Sequence, residues 1–355
     1  MKIFGKKESL TDEILAGGES AIANKETEGL SQGQIVRRRF FRHRAAVIAL
    51  VMISSIVVFV FTALDTKIGP IRIPGWWRWT VEDIPELRYE DCVGGTVGCP
   101  TLSIRPGAGF GLGTHPFGQD DIGRDYFALV MNGARRSLMI MFVIGAVSGF
   151  IGVVVGSISG FYGGVIDAVL MRLVDFLQTV PTIIIAAVIG KAAGKVGPLY
   201  LALFLGLLGW TGLARLVRAQ FLSLREMEFV DAARVAGASN IRIAFKHILP
   251  NAVGQIIVII TLIMAGAILT ETALSYLGFG VVAPDVSLGL LISQFESAFT
   301  TRPWLFWWPG FFIISIALCV NFIGDGLRDA FDPRQRRRIS KRDRLQAKLQ
   351  IKAGE

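Results

Sequence analysis

Charge is the scarcest ingredient of this chain, and catalytic side chains are nearly as rare. Only 18% of its 355 residues are Asp, Glu, Lys or Arg, against about 25% in soluble domains. There are three histidines, His43, His115 and His247, far apart in sequence. No His-Glu-x-x-His pair and no Gly-x-Ser-x-Gly elbow occurs. The phosphate-loop pattern is missing too. Gly194-Lys195 is followed by Val196 and lacks a glycine five positions earlier, and the Gly107–Gly113 stretch fails the dinucleotide pattern at its third glycine. A membrane-embedded enzyme is therefore unsupported. A solute moved uphill by this chain would draw its energy from a partner or an ion gradient.

Cysteine is scarce as well, at three residues. Cys319 lies in an apolar run and reads as a small buried hydrophobe. Cys92 and Cys99 share a glycine-containing polar loop, where an extracytoplasmic location would suit a disulfide. Two unrelated thiols is the other reading. With no further Cys or His nearby, the pair does not suggest a metal site, and no metal or cofactor is expected on this chain.

What the chain has instead is apolar sequence. It is 52% hydrophobic, with a mean hydropathy of +0.53. A helix needs roughly 20 apolar residues to cross a bilayer, and several runs reach or approach that length. The expected class is an all-α polytopic membrane protein with six transmembrane helices. The net charge of +9 sits in collars beside apolar runs, which points to the cytoplasmic face of a membrane and not to nucleic acid.

Residues 1–35 read as a flexible cytoplasmic tail. The collar Arg37-Arg-Arg-Phe-Phe-Arg-His-Arg44 precedes the uncharged run Ala45–Leu64, so residues 36–64 form a basic collar and first span. Residues 65–132 follow as an extracytoplasmic loop containing His115-Pro-Phe-Gly-Gln-Asp-Asp-Ile-Gly-Arg-Asp125. A second span over 137–160 carries Gly145, Gly149, Gly152, Gly156 and Gly160 on one face, which allows close helix packing. The third span, 171–189, contains Pro181 and should kink there. Asp167, Arg172 and Asp175 lie at its cytoplasmic end, with Arg172 and Asp175 spaced to pair i,i+3. The fourth span, 198–214, runs into Arg215, Arg218 and Arg225. The fifth covers 252–270. Ser275–Pro303 reads as an outer loop, and 304–324 is the sixth span. Trp76, Trp77, Trp79, Trp304, Trp307 and Trp308 fall at one predicted membrane interface. Residues 327–355 form a basic tail, so both termini are expected in the cytoplasm. Read this way, the spans carry almost no charge at mid-depth.

The segment between the fourth and fifth spans is polar. Met227–Val235 reads as a short helix stopped by Gly237. Ser239 is placed to cap a second helix, Asn240–His247, and Pro250 ends the unit before the fifth span. Ala232 and Ala233 leave room for a partner surface, with Phe229 and Val230 as apolar anchors. The competing reading is an amphipathic helix lying on the membrane.

Asp231-Ala-Ala, Gly237 and His247-Ile-Leu-Pro250 resemble the "EAA" loop of bacterial ABC-importer permeases, at matching spacing. Asp231 replaces the usual Glu. His115–Asp125, Gly133-Ala-Arg-Arg-Ser-Leu138, Leu274-Ser-Tyr-Leu-Gly-Phe-Gly280, Pro303-Trp304 and Asp329-Ala-Phe-Asp-Pro333 resemble elements of the dipeptide/oligopeptide/nickel branch, and of its "C"-type subunit in particular. The resemblance implies a type I importer fold, with residues 133–326 as its transmembrane domain, in a prokaryotic cytoplasmic membrane. It implies a sister permease, two cytoplasmic ATPases that use ATP, and an extracytoplasmic substrate-binding protein. It also implies that Glu228, Asp231, Ala232, Ala233, Gly237, His247, Leu249 and Pro250, within the coupling loop 228–250, contact the ATPase. His115, Asp120, Asp121, Gly123, Arg124 and Asp125 are candidates for an extracytoplasmic gate. The other reading of that element is a loop held by Asp/Arg pairing and glycine turns. Peptides are the expected cargo, with nickel chelates or another small solute as the alternative. An ion-gradient transporter would call for internal repeats, and none is evident.

Overall fold

A computed structural model describes residues 32–68, 71–88, 97–105, 109–111, 113–193 and 197–331. Two helices open it, α1 (Gln32–Arg42) and α2 (Arg44–Ala63). His43 joins them, and its Nδ1 accepts the Ala46 N–H at 3.1 Å, so an imidazole serves as the N-cap. Two short antiparallel hairpins follow, β1 (Thr66–Ile68) with β2 (Ile71–Ile73) and β3 (Ser103–Arg105) with β4 (Gly109–Gly111). The remaining elements are α3 (Tyr126–Tyr162), α4 (Gly164–Thr179), α5 (Thr182–Ala193), α6 (Pro198–Arg225), α7 (Glu228–Val235), α8 (Asn240–Arg242), a π-helical turn (Ile243–Ile248), α9 (Leu249–Tyr276), α10 (Leu288–Phe295), a 3-10 turn (Glu296–Ala298) and α11 (Trp304–Phe331).

Among the described residues, five helices are long and apolar enough to cross a membrane. A sixth span exists if the bent pair α4–α5 counts as one. The third span is thus broken and not merely kinked. Pro181 removes a backbone donor and clashes with the preceding turn, and the two halves meet at 75°. The spans also run past the apolar stretches. α3 begins eleven residues before Ser137 because Asp125 caps it, and α11 continues to Phe331. The expected outer loop 275–303 contains α10, a helix the sequence reading did not anticipate.

The glycine stripe of α3 divides its face between two neighbours. A Cβ at Gly152, Gly156 or Gly160 would meet α6. At Gly156 it would lie 2.5 Å from the Ala214 carbonyl oxygen, which cannot move aside. Gly145 and Gly149 face the flexible side chains of Met264 and Ile260 on α9. Gly156→Ala should therefore destabilise by about 1–3 kcal/mol through overpacking, and Gly149→Ala by less. Thermal unfolding of the two variants in detergent measures the difference.

Beyond the glycines, one buried cluster joins α2, α3, α10 and α11 around Tyr126, Phe127, Leu291 and Leu305. A second gathers Phe161, Leu213, Val217 and Phe221 with Val230, Ile243 and Ile248. Phe161 closes α3 and Phe127 opens it, so the two clusters occupy opposite ends of a helix about 55 Å long.

The charged residues near the second cluster do not pair as the sequence spacing suggested. Arg172 and Asp175 are not partners. Asp175 pairs with Arg215, and Asp167 receives two bonds from Arg218, at 2.5 and 2.6 Å. Packing α4 against α6 brings up arginines that a single-helix count cannot see. The Asp167 carboxylate also accepts from Ser159, so one side chain ties α3, α4 and α6 together.

Candidate coupling segment and the His115–Asp125 element

The segment after α6 is built from a tightly closed helix. Glu228 and Asp231 lie in the first turn of α7, where carboxylates suit the positive end of the helix dipole. Arg234 pairs with Asp231 at 3.2 Å, both side chains largely exposed. The helix ends in a Schellman arrangement: Ala238 N–H reaches Ala233 O at 3.0 Å and Gly237 N–H reaches Arg234 O at 2.9 Å. Gly237 has φ +78° and open space where a Cβ would stand, so backbone conformation and not space favours glycine there. Ser239 then caps the next turn by accepting from Arg242 N–H.

Pro250 does not end this unit. It sits in the first turn of α9, and the helix runs unbroken from Asn240 to Tyr276 through the π turn. The physical reason is local. Proline has no N–H and crowds the carbonyl four residues before it. In the widened turn Leu249 N–H bonds to Ala244 O instead. Asn251 contributes its side-chain amide to His247 O at 2.7 Å.

One face of the segment is fixed to the core. Val230, Ile243 and Ile248 are each fully buried among Phe161, Val217 and Phe221. The other face is open and apolar. Val235 is 90% exposed, Ile241 66%, Phe245 58% and Phe229 38%. Glu228, Asp231, Ala232, Gly237 and Pro250 are exposed beside them, while Ala233, His247 and Leu249 are half-buried. Of the two apolar anchors expected from sequence, Phe229 is on the open face but Val230 is buried in the core, and Val235, Ile241 and Phe245 were not anticipated. Their signal was three apolar residues in a polar stretch with no buried partner assigned.

At the opposite end, the His115–Asp125 element is largely consumed by its own bonds. Asp125 is fully buried and caps α3, accepting from Ala128 N–H at 2.9 Å. It also accepts from the Trp77 indole at 2.7 Å and lies 2.8 Å from His115 Nδ1. Asp120, also buried, accepts from Arg124 N–H at 2.8 Å and from Arg124 Nε at 2.6 Å. Gly118 and Gly123 have φ +87° and +94° and abut the carbonyls of Gly98 and Pro85. His115 and Asp125 are thus brought together, as are Asp120 and Arg124. Asp121 stands apart, exposed, and pairs with Arg302. Gln119 was not singled out by sequence, yet it is fully buried and holds Glu86 O, Gly123 O and Arg88 N–H. Cys99 is disulfide-bonded, whereas Cys92, its expected partner, lies outside the described residues.

Comparison with known proteins adds the following. Residues 152–337 match the family described as binding-protein-dependent transport system inner membrane component. Residues 31–67 match the N-terminal TM domain of oligopeptide transport permease C. The chain is 36% identical to the oligopeptide transport system permease protein OppC of Haemophilus influenzae, over 89% of this chain and 93% of that protein. It is 36% identical to OppC of Escherichia coli, over 88% and 94%, and 37% identical to OppC of Mycobacterium tuberculosis, over 87% and 97%. A solved chain of the MetNI methionine ABC transporter in inward-facing conformations aligns with a TM-score of 0.47 and 19% identity, covering 57% of this chain and 96% of that one.

Proposed function

Because this chain belongs to the family of binding-protein-dependent transport inner membrane components, we propose that it is a permease subunit of an ATP-driven importer of oligopeptides. It is a multi-pass protein of the inner membrane, homologous to the OppC permeases. A sister permease completes the translocation path. Two cytoplasmic ATPases supply the energy, an extracytoplasmic binding protein delivers the peptide, and both termini lie in the cytoplasm. This chain itself binds no ATP.

The observation that carries the reading is the two-faced coupling segment. Val230, Ile243 and Ile248 fix it to the ends of three spanning helices, while Val235, Ile241 and Phe245 face outward. Exposed apolar side chains grouped on a fixed helix mark an interaction surface. A cytoplasmic ATPase seated there would move α3, α6 and α9 together. Such a lever works only if the partner binds one state more tightly than the other. The His115–Asp125 element then acts as the frame that fixes the start of α3, and Asp121 with Arg302 is the part left on its surface.

Reconstitution of the complex in proteoliposomes tests this. Uptake of a labelled oligopeptide should require ATP and the binding protein, and should survive collapse of the proton and sodium gradients. Uptake that persists without the ATPases and follows an ion gradient would overturn the proposal.

A further inference from the structure

Glu271 stands in Thr270-Glu-Thr-Ala-Leu-Ser275, one residue past the apolar run taken as the fifth span. It lies within α9 and is fully buried. Burying a carboxylate is costly unless its oxygens are satisfied, and here hydroxyls satisfy them. Ser137 on α3 donates to Oε2 at 2.9 Å, and Ser275 donates to Oε1 at 2.8 Å. The buried Ser287 adds a third hydroxyl.

Each serine also accepts a backbone N–H from the segment that follows α9. Val281 N–H reaches Ser275 at 3.1 Å, Leu288 N–H reaches Ser137 at 3.3 Å, and Leu290 N–H reaches Ser287 at 3.2 Å. A hydroxyl has one proton to give and lone pairs to receive, so all three act as relays between the carboxylate and the backbone. Glu271 thereby holds the 281–290 segment and the start of α10 against α3. Close backbone approach seals the joint. A Cβ on Gly289 would lie 2.6 Å from the Thr272 Cα, and one on Gly133 would lie 3.1 Å from the Ser287 carbonyl carbon. A separate ion pair, Arg136 with Asp285 at 2.7 Å, ties α3 to the same segment.

The helix bearing Glu271 is the helix that begins in the coupling segment. From Asn240 to Tyr276 it is continuous through the π turn, about 55 Å long. Displacement at its first turn is carried to its last.

We propose that Glu271 is a positioning residue for transport: its carboxylate latches α10 closed over the end of the bundle opposite the coupling segment, and movement of α9 relative to Ser137 releases it. The release step rests on the importer reading above; the latch does not. When α9 shifts it carries Ser275 with it, and the carboxylate leaves the Ser137 and Ser287 hydroxyls, so the bonds that join α9 to α3 and to the start of α10 are lost. The helix then comes away from α3.

The test uses the full complex in nanodiscs. Leu291, 1% exposed on α10, is changed to cysteine and treated with a membrane-impermeant maleimide; protein lacking Leu291→Cys supplies the background from Cys319. With Glu271 intact, labelling should be slow without nucleotide and roughly tenfold faster when a non-hydrolysable ATP analogue is bound. Glu271→Ala should label at the fast rate in both conditions and hydrolyse ATP without needing the binding protein. Glu271→Gln keeps one acceptor oxygen and should fall between. Should Glu271→Ala fail to assemble, Ser137→Ala and Ser287→Ala remove one relay each and should show the same acceleration more weakly. Slow nucleotide-free labelling of assembled Glu271→Ala, or of both serine variants, overturns the latch. Labelling that responds to Glu271 replacement but never to nucleotide overturns ATP-driven release and keeps the latch; the importer reading itself stands or falls separately on the uptake assay.

Discussion

Replacing Gly237 by valine should abolish ATP-dependent uptake while the protein still inserts and pairs with its sister subunit. At φ +78° a β-branched residue is strained by roughly 1–2 kcal/mol, enough to shift a local equilibrium about tenfold. The backbone escapes by unwinding the last turn of α7. That releases the two bonds from Gly237 and Ala238 N–H to Arg234 and Ala233 and turns Val235 away from its present direction. A Cβ added at position 237 meets no atom within 4 Å apart from its immediate chain neighbours, so the strain is local to the backbone and does not prevent folding. Gly237→Asn is the control. Asparagine tolerates the left-handed region, and its uptake should stay near that of the parent. Peptide uptake in proteoliposomes, with ATPase stimulation measured alongside, distinguishes the two. Normal uptake by Gly237→Val would remove this segment from the coupling path.

The second large effect is expected from Asp125→Ala, and it concerns stability. That carboxylate is the N-cap of α3, worth about 0.5–2 kcal/mol. It is also the buried partner of the Trp77 indole and of His115. Leaving a buried donor unsatisfied costs a further ~1–3 kcal/mol, for a total of about 1.5–5 kcal/mol, the upper end of which is exceptional for one substitution. Asp121→Ala, four residues away, removes an exposed carboxylate from its pair with the half-buried Arg302 and should cost less, about 1 kcal/mol. Thermal unfolding in detergent ranks the two variants. If they were equally stable, the frame role assigned to the His115–Asp125 element would be wrong.

The contrast between these neighbouring aspartates shows what one-dimensional reading misses. Both lie in a motif that resembles a family element, and sequence gave no means of ranking them. Burial ranks them, because Asp125 caps the helix that the rest of the bundle packs on. The coupling segment was more legible, since its features are local. A short helix, a glycine that must be left-handed and a serine cap are all decided within a few residues. From sequence alone Pro250 reads as a stop, because proline breaks helix interiors. In the first turn of α9 it is tolerated, with the π turn and Asn251 absorbing its missing donor.

Long-range pairings were illegible for a plain reason. Arg172 and Asp175 satisfy the i,i+3 rule, yet Asp175 pairs with Arg215, forty residues along the chain, once α4 packs on α6. Glu271 escaped for the opposite reason. A hydropathy scan ends a span where charge begins, so the carboxylate marked the boundary at Thr270 and was left outside the helix it belongs to. α10 was hidden because a mostly apolar stretch of eight residues between turns reads equally well as loop, strand or helix. Ser287, its cap, becomes informative only when Glu271 and Ser137 are seen beside it.

The decisive contact is that of the outward face of the coupling segment with an ATPase and not with lipid. Site-specific photo-crosslinking from position 235, where Val235 is 90% exposed, decides this in intact membranes containing the whole complex. A crosslinker there, and at positions 241 and 245, should capture the ATPase subunit, while one at the fully buried position 230 should not. Crosslinks from 235, 241 and 245 that go to phospholipid, with none to the ATPase, would contradict the account and leave the segment as a helix lying on the membrane surface.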